Sequence, residues 1–379
     1  MINLNDNFYK IKYIKYKNKY ITIKNQYGGI VEQIFLSFSV INETIDKDYK
    51  TLEKLEKLEK IDTIRGLIFN DNQIDNDGAT KIAEFIKKLT QLKEFHFIKN
   101  KIKDNVIQII ASSLKNLNTL TIWSSDFDSD IIIALANSFE KMHNLTSLNL
   151  SSNKIGSSDA ITLANSFHHI SDLTYLNLSN NKIGSDGAIV LAMSFTHMSK
   201  LQILNLSNNK IGSDDAIALA TSFSHTCELQ KLHLQNNKLG NRGAIALANS
   251  FQHITQLTHL ELTYNNIGNK GAIELANNLE YISRLTYLGL DKNNIGDTGA
   301  IALAEKLKIT SFTDAFDIAI LLIVNLSNNI IGEECVTKLK EYKYNNIEIE
   351  LSNQNIQTQI CIPNVRGEYD TMDCEGEEY

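Results

Sequence analysis

Proline is nearly missing: Pro363 is the single one among 379 residues. The chain is therefore no proline-rich linker. Cysteine is scarce too. Cys227, Cys335, Cys361 and Cys374 lie far apart with no CxxC pair. That excludes a disulfide framework and zinc-ligand spacing, and it fits a reducing compartment. Positive charge is not in excess, with 37 Lys and Arg against 44 Asp and Glu and a net charge of −7, which argues against a dedicated nucleic-acid binder. No long apolar run exists. The stretch Ile30 to Ile41 is interrupted by Glu32 and Gln33, whereas a spanning helix needs about 20 apolar residues. The opening MINLNDNFYK has no apolar core, so no classical secretory signal is expected. Also missing are a P-loop, GxSxG, HExxH, and GxGxxG at a strand–helix junction. What is plentiful is core material, since 43% of residues are hydrophobic.

The apolar residues recur with a period. LTSLNLSSNKIG begins at Leu145, LTYLNLSNNKIG at Leu173, LQILNLSNNKIG at Leu201 and LQKLHLQNNKLG at Leu229. LTHLELTYNNIG follows at Leu257 and LTYLGLDKNNIG at Leu285, so each start lies 28 residues after the last. Weaker copies begin at Ile64, Leu92 and Leu117, and later ones at Leu321 and near Ile347. The shared pattern is LxxLxLxxNxI, followed by glycines and an A-I-x-L-A-x-S-F segment.

In repeat five, Leu176 and Leu178 alternate as a short strand requires. Gly184 and Gly187 precede a helix whose Ala188, Leu191, Ala192 and Phe195 share one face. Units this small cannot bury their apolar faces alone, so they must stack. Strands sit about 4.8 Å apart, while helices pack about 8–10 Å apart. The mismatch bends the stack, with strands inside and helices outside. The expected fold is an α/β solenoid, a horseshoe with parallel strands on the concave face and helices on the convex face.

These motifs resemble leucine-rich repeats of the ribonuclease-inhibitor type, with ten regular copies from Ile64 to about Tyr344. The resemblance implies a protein-binding module rather than an enzyme, with no cofactor and no metal. Leucine-rich ubiquitin-ligase effectors carry a catalytic domain beside the repeats, and neither flank here is long enough for one. Nuclear-transport GTPase-activating proteins are similar in having a horseshoe and an acidic tail, which leaves GTPase activation as an alternative.

An asparagine column recurs at Asn72, Asn100, Asn153, Asn181, Asn209, Asn237, Asn265, Asn293 and Asn329, with Ser125 in its place in repeat three. An amide both donates and accepts, so the column reads as structural, satisfying backbone groups of the turns. His169, His197, His225 and His253 form a second column after the Phe residues, flanked by Lys141 and Tyr281. Convergence of these on one metal at about 2.0–2.1 Å is hard across helices about 8–10 Å apart. A helix C-terminus that favours a cation or donor is the better reading.

Outside the array, residues 1–60 are expected to be an N-terminal cap: a lysine-rich hairpin turning near Lys17–Lys19, a helix over Gly29 to Glu43 and another over Leu52 to Lys60. Residues 61–356 hold about ten to eleven repeats, and 357–379 form an acidic tail. The tail resembles the glutamate-rich export signals of bacterial type IV secretion effectors. That resemblance implies a virulence protein delivered into the host cytosol, while a resident cytoplasmic adaptor fits the repeats equally. The step from Leu92 to Leu117 is 25 residues and that from Leu285 to Leu321 is 36. The longer step holds an insertion of eight around Ile309 to Ile320, expected to lengthen or add a convex helix, with a partner-facing loop as the alternative.

By strand alternation the third, fifth, seventh and eighth positions of each repeat face the hollow. The third reads Tyr175, Ile203, Lys231, His259, Tyr287 through repeats five to nine, and the fifth includes His233 and Glu261. Tyr264 and Lys292 fall at the eighth, and Trp123 at the seventh of repeat three. Aromatic residues dominate interface energies. The expected partner-binding set is therefore Trp123, Tyr175, Lys231, His233, His259, Glu261, Tyr264 and Tyr287. The partner is a protein, a host protein if the chain is an effector, with no nucleic acid and no membrane-spanning segment. The sequence leaves the oligomeric state open.

Overall fold

The computed structural model describes residues 11–16, 19–24, 33–39, 64–70, 73–74, 76–102, 106–123, 129–310, 312, 321–341 and 346–354. Three strands open the chain: β1 (Ile11–Tyr16), β2 (Lys19–Lys24) and β3 (Gln33–Ser39). β1 and β2 form an antiparallel hairpin, with Tyr16 paired to Lys19, so the turn falls where the lysine-rich pattern puts it. β3 corrects an expectation, because Gln33–Ser39 is a strand and not part of a helix. It pairs antiparallel to β2 and parallel to the first strand of the array, so two neighbours claim its backbone groups. The expected helix over Leu52 to Lys60 and the tail at 357–379 lie outside the described residues.

The array follows as β4 (Ile64–Asn70), β5 (Gln73–Ile74), β6 (Glu94–Ile98), β7 (Lys101–Ile102), β8 (Thr119–Trp123), β9 (Ser147–Asn149), β10 (Tyr175–Asn177) and β11 (Ile203–Asn205). It continues with β12 (Lys231–His233), β13 (His259–Glu261), β14 (Tyr287–Gly289), β15 (Leu322–Asn325) and β16 (Ile347–Glu350). All but β5 and β7 form one open sheet with β1 and β16 at its edges, and every pairing from β3 onward is parallel. β5 and β7 make a small separate ladder. Helices return the chain between strands: α1 (Asn76–Lys88), α2 (Val106–Ala111), α3 (Ser129–Ser138), α4 (Ser157–Ser166), α5 (Gly184–Ser194) and α6 (Ser213–Ser222). α7 (Gly240–Ser250), α8 (Asn269–Asn277), α9 (Asp297–Ile309) and α10 (Glu333–Glu341) complete the convex layer. The architecture is the α/β solenoid that the periodicity requires.

The core lies between the two layers. In repeat five, Leu173, Leu176, Leu178, Ile183, Ala188, Leu191 and Phe195 are all fully buried. Each such leucine contributes about 1.5–3 kcal/mol relative to an exposed one. Phe139, Phe167, Phe195, Phe223 and Phe251 repeat the same plug under successive helices. One core position departs from the sequence pattern. Leu322 is buried and Leu321 is 54% exposed, although Leu321 occupies the first position of its copy. The strand register is unchanged, with Ile323 opposite Tyr287, so the exchange is confined to the first two residues of the copy. α9, which precedes the insertion, runs 13 residues where α3 to α8 run 9–11.

The asparagine column performs the expected task. Asn181 Oδ1 accepts from the backbone N–H of Asn153 and of Ile155, each at 3.0 Å. Its Nδ2 donates to the Leu150 and Leu178 carbonyls at 3.0 and 2.9 Å. Each amide thus ties two repeats together. The ladder ends on Gln354, whose longer amide accepts from Asn329 N–H and donates to the Leu326 carbonyl.

Candidate functional site

Side chains at the third and fifth positions stand on the face away from the helices, flanked by buried leucines. β10, β11 and β13 each show the half-buried, buried, half-buried pattern that puts only the middle residue in the core. Tyr175 and Tyr287 are half-buried beside fully buried Leu176 and Leu288, so neither is turned under the sheet.

In repeats four, five, six and ten this face is self-satisfied. The fifth-position amides of Asn149, Asn177, Asn205 and Asn325 each accept the backbone N–H of the seventh residue at 3.0 Å. The seventh residue is then serine, at Ser151, Ser179, Ser207 and Ser327, and it is buried. Repeats seven to nine lack both the asparagine and the serine, as do repeats one to three. The third reads Lys231, His259, Tyr287; the fifth His233, Glu261, Gly289; the seventh Gln235, Thr263, Asp291. Strand register sets these side by side, with Lys231 opposite His259 opposite Tyr287, and His233 opposite Glu261 opposite Gly289.

The rings assemble into a platform. His259 stacks on Tyr287 with centroids 4.5 Å apart and 11° between planes. His233 leans on His259 at 5.0 Å. Burial holds the His233 imidazole down at about 4, helped by His259 and Lys231. Burial and then Lys231 lower His259 as well. Both rings are therefore neutral at pH 7. Burial raises the Glu261 carboxyl against the hydrogen bonds it accepts from the Thr263 side chain, the Thr263 N–H and Tyr287. The Thr263 hydroxyl stands between the Glu261 and Asp291 carboxylates. Burial, Glu261 and Asp291 push the Tyr287 phenol up to about 12. Gly289 leaves the floor open. A methyl group there would overlap the Glu261 carboxylate, which fills the space instead.

These repeats carry local costs. Tyr264 sits at the eighth position with φ 57°, a left-handed conformation that Asn180, Asn208, Asn236 and Asn328 adopt in the same column. Asparagine tolerates that region, whereas a bulky L-residue there costs about 1–2 kcal/mol. Tyr264 is also 56% exposed. The Gln235 Oε1 atom is buried with no hydrogen-bond partner, a cost of about 1–3 kcal/mol.

The structure divides the sequence-derived set. Lys231, His233, His259, Glu261 and Tyr287 come together, and Tyr264 stands in the turn that follows β13. Tyr175 is four strands from Tyr287, or about 19 Å at sheet spacing, and its hydroxyl accepts from Asn177 Nδ2 at 3.2 Å. Trp123 is six strands away, or about 29 Å. The Lys99 ammonium lies 5.1 Å from the centre of its ring. The eight residues therefore do not form one patch, and Trp123 and Tyr175 belong elsewhere on the face. Sequence reading missed Thr263, Asp291 and Gly289. A column-by-column comparison of the fifth and seventh positions would have found all three.

The histidine column lies on the other layer. His169, His197, His225 and His253 are exposed in the 3-10 turns that end the helices. Among the described residues no group of three or more His, Cys, Asp or Glu could hold a metal ion, and no helix is long and apolar enough to cross a membrane.

The leucine-rich repeat family matches residues 141–164, 169–192, 197–220, 227–248, 253–276 and 284–304. Among solved structures the chain is similar to an internalin from Listeria monocytogenes. The two share 17% identity with a TM-score of 0.47, over 86% of this chain and 87% of that one. A Bacteroides fragilis protein shares 12% identity with a TM-score of 0.34, over 85% of this chain and 74% of its own. No curated protein matches the chain.

Proposed function

We propose that this chain, whose residues 141–304 carry leucine-rich repeats, is a non-enzymatic module that grips a protein partner on the concave face of repeats seven to nine. Leucine-rich repeats generally mediate protein–protein interaction. One observation carries the location. In repeats seven to nine the departure from the Asn–Ser pattern comes with local costs: desolvated histidines, a desolvated carboxylate, an orphaned amide oxygen and a left-handed tyrosine. Residues that weaken a fold yet cluster on one exposed face are expected where a surface serves recognition. Tyr287, Tyr264, His259 and Lys231 supply the contacts. Tyr175 and Trp123 extend the same face for a long partner, with Trp123 as an outlying anchor. The effector reading and delivery to a host cytosol rest on the acidic tail and remain part of this proposal. Nothing among the described residues favours GTPase activation.

A four-substitution variant tests the reading. His233→Asn, Glu261→Asn, Gly289→Asn and Tyr264→Asn return the patch to the pattern of its neighbours. Proteins captured from eukaryotic lysate by the natural chain should be lost by this variant, and a purified captured partner should bind it at least about tenfold more weakly, a difference of about 1.4 kcal/mol. Equal capture would place the binding surface elsewhere.

A further inference from the structure

The patch is electrically lopsided. Lys231 lies at its β12 end. Toward the C-terminus Glu261, Asp291, Glu348 and Glu350 follow on the facing positions of β13 to β16 and their turns, against one ammonium, Lys292. Three of these carboxylates, on Glu261, Asp291 and Glu350, act on the Tyr287 phenol from three different repeats. Glu261 is fixed in place. It accepts from the Thr263 N–H and hydroxyl and from Tyr287, and it lies in the space that Gly289 leaves open. Beside it stands the half-buried His259–Tyr287 ring stack.

An anionic partner is repelled here, and a purely apolar one would strand two carboxylates. A metal ion lacks a third ligand. A flat cation fits. A guanidinium is planar, stacks on aromatic faces and forks its N–H groups toward carboxylates, whereas an ammonium is a compact, strongly hydrated point charge.

We propose that the protein partner sets an arginine side chain beside Gly289, with its guanidinium against the Tyr287 ring and its N–H groups donating to Asp291 and Glu261. This rests on the concave-face reading above and adds the chemistry of the bound side chain.

The test uses the full chain, isotopically labelled, and N-acetyl-arginine amide as probe. Binding is read from the backbone amide resonances of Thr263, Gly289 and Asp291. Saturable shifts are expected there, about tenfold weaker with the neutral isostere N-acetyl-citrulline amide and several-fold weaker with N-acetyl-lysine amide. Glu261→Gln keeps the acceptor for Thr263 while removing the charge, and Gly289→Ala puts a methyl group where the carboxylate lies and displaces it. Both should weaken the arginine probe about tenfold while the resonances of repeats four to six stay in place. Citrulline binding as well as arginine, shifts confined to another surface, or no saturable shift in the natural chain would overturn the proposal. If the four-substitution variant loses its partner while the arginine probe fails, the arginine assignment alone is wrong. If the probe binds and capture is unchanged, the concave-face reading is wrong instead.

Discussion

Replacing Asn237 by alanine should remove a measurable share of the stability of the array. The Asn237 Oδ1 accepts the backbone N–H groups of Asn209 and Ile211, each at 3.0 Å, and the residue is 4% exposed. Its Nδ2 donates to the Leu206 and Leu234 carbonyls. Those two carbonyls keep a second partner, because Asn209 Nδ2 reaches Leu206 and Asn265 Nδ2 reaches Leu234. The loss therefore falls on the two N–H donors, each orphaned at about 1–3 kcal/mol. About 3–4 kcal/mol is expected in total, enough to make repeats six and seven the weak point of a solenoid held by neighbour contacts. Urea unfolding followed by circular dichroism gives the global change. Amide hydrogen exchange at Asn209 and Ile211 gives the local one, which matters if the array unfolds in segments. A loss under about 1 kcal/mol with both amides still protected would refute the ladder as a source of cohesion.

Tyr264→Asn should raise the melting temperature, since asparagine relieves about 1 kcal/mol of left-handed strain at φ 57°; an unchanged or lower value by calorimetry would show that the tyrosine adds stability. Because burial depresses His233 and His259 below their unfolded value of 6.5, the unfolded chain binds protons first on acidification. Stability should therefore fall as pH drops from about 6.5 towards 4 and level off below that. Comparing urea midpoints of the natural chain and His233→Asn at pH 7 and pH 5 checks this, and an identical pH response in both would contradict it. Glu261→Gln keeps the Thr263 contact and removes a desolvated charge, so its urea midpoint at pH 7 should equal or exceed that of the natural chain. Phe223→Ala empties a fully buried site between layers and should cost about 3–5 kcal/mol in the same assay, whereas a loss under 1 would mean the core collapses to fill it.

The repeat could be read from sequence because one spacing fixes everything that depends on phase: which leucines enter the core, where the amide ladder stands and which positions face the hollow. Gln33–Ser39 escaped because QIFLSFS suits either a helix or a strand at that length, and the neighbouring sheet edge decides between them. Leu321 misled because the residue after it is also leucine, and Leu322 takes the buried place, a choice the leucine pattern alone does not make. The site was half legible. Residue chemistry marked Tyr287, His259 and Lys231, while their grouping depends on lateral register between strands, which separates Trp123 from them. Gly289 is silent by itself. It gains meaning only beside the Glu261 carboxylate that occupies its space.

Hydrogen–deuterium exchange of a purified partner complex tests the proposed grip most directly. Slowed exchange is expected at residues 231–235, 259–264 and 287–292 and not on helices α4 to α7. Protection confined to those convex helices, with the three concave segments exchanging as in the free chain, would contradict it.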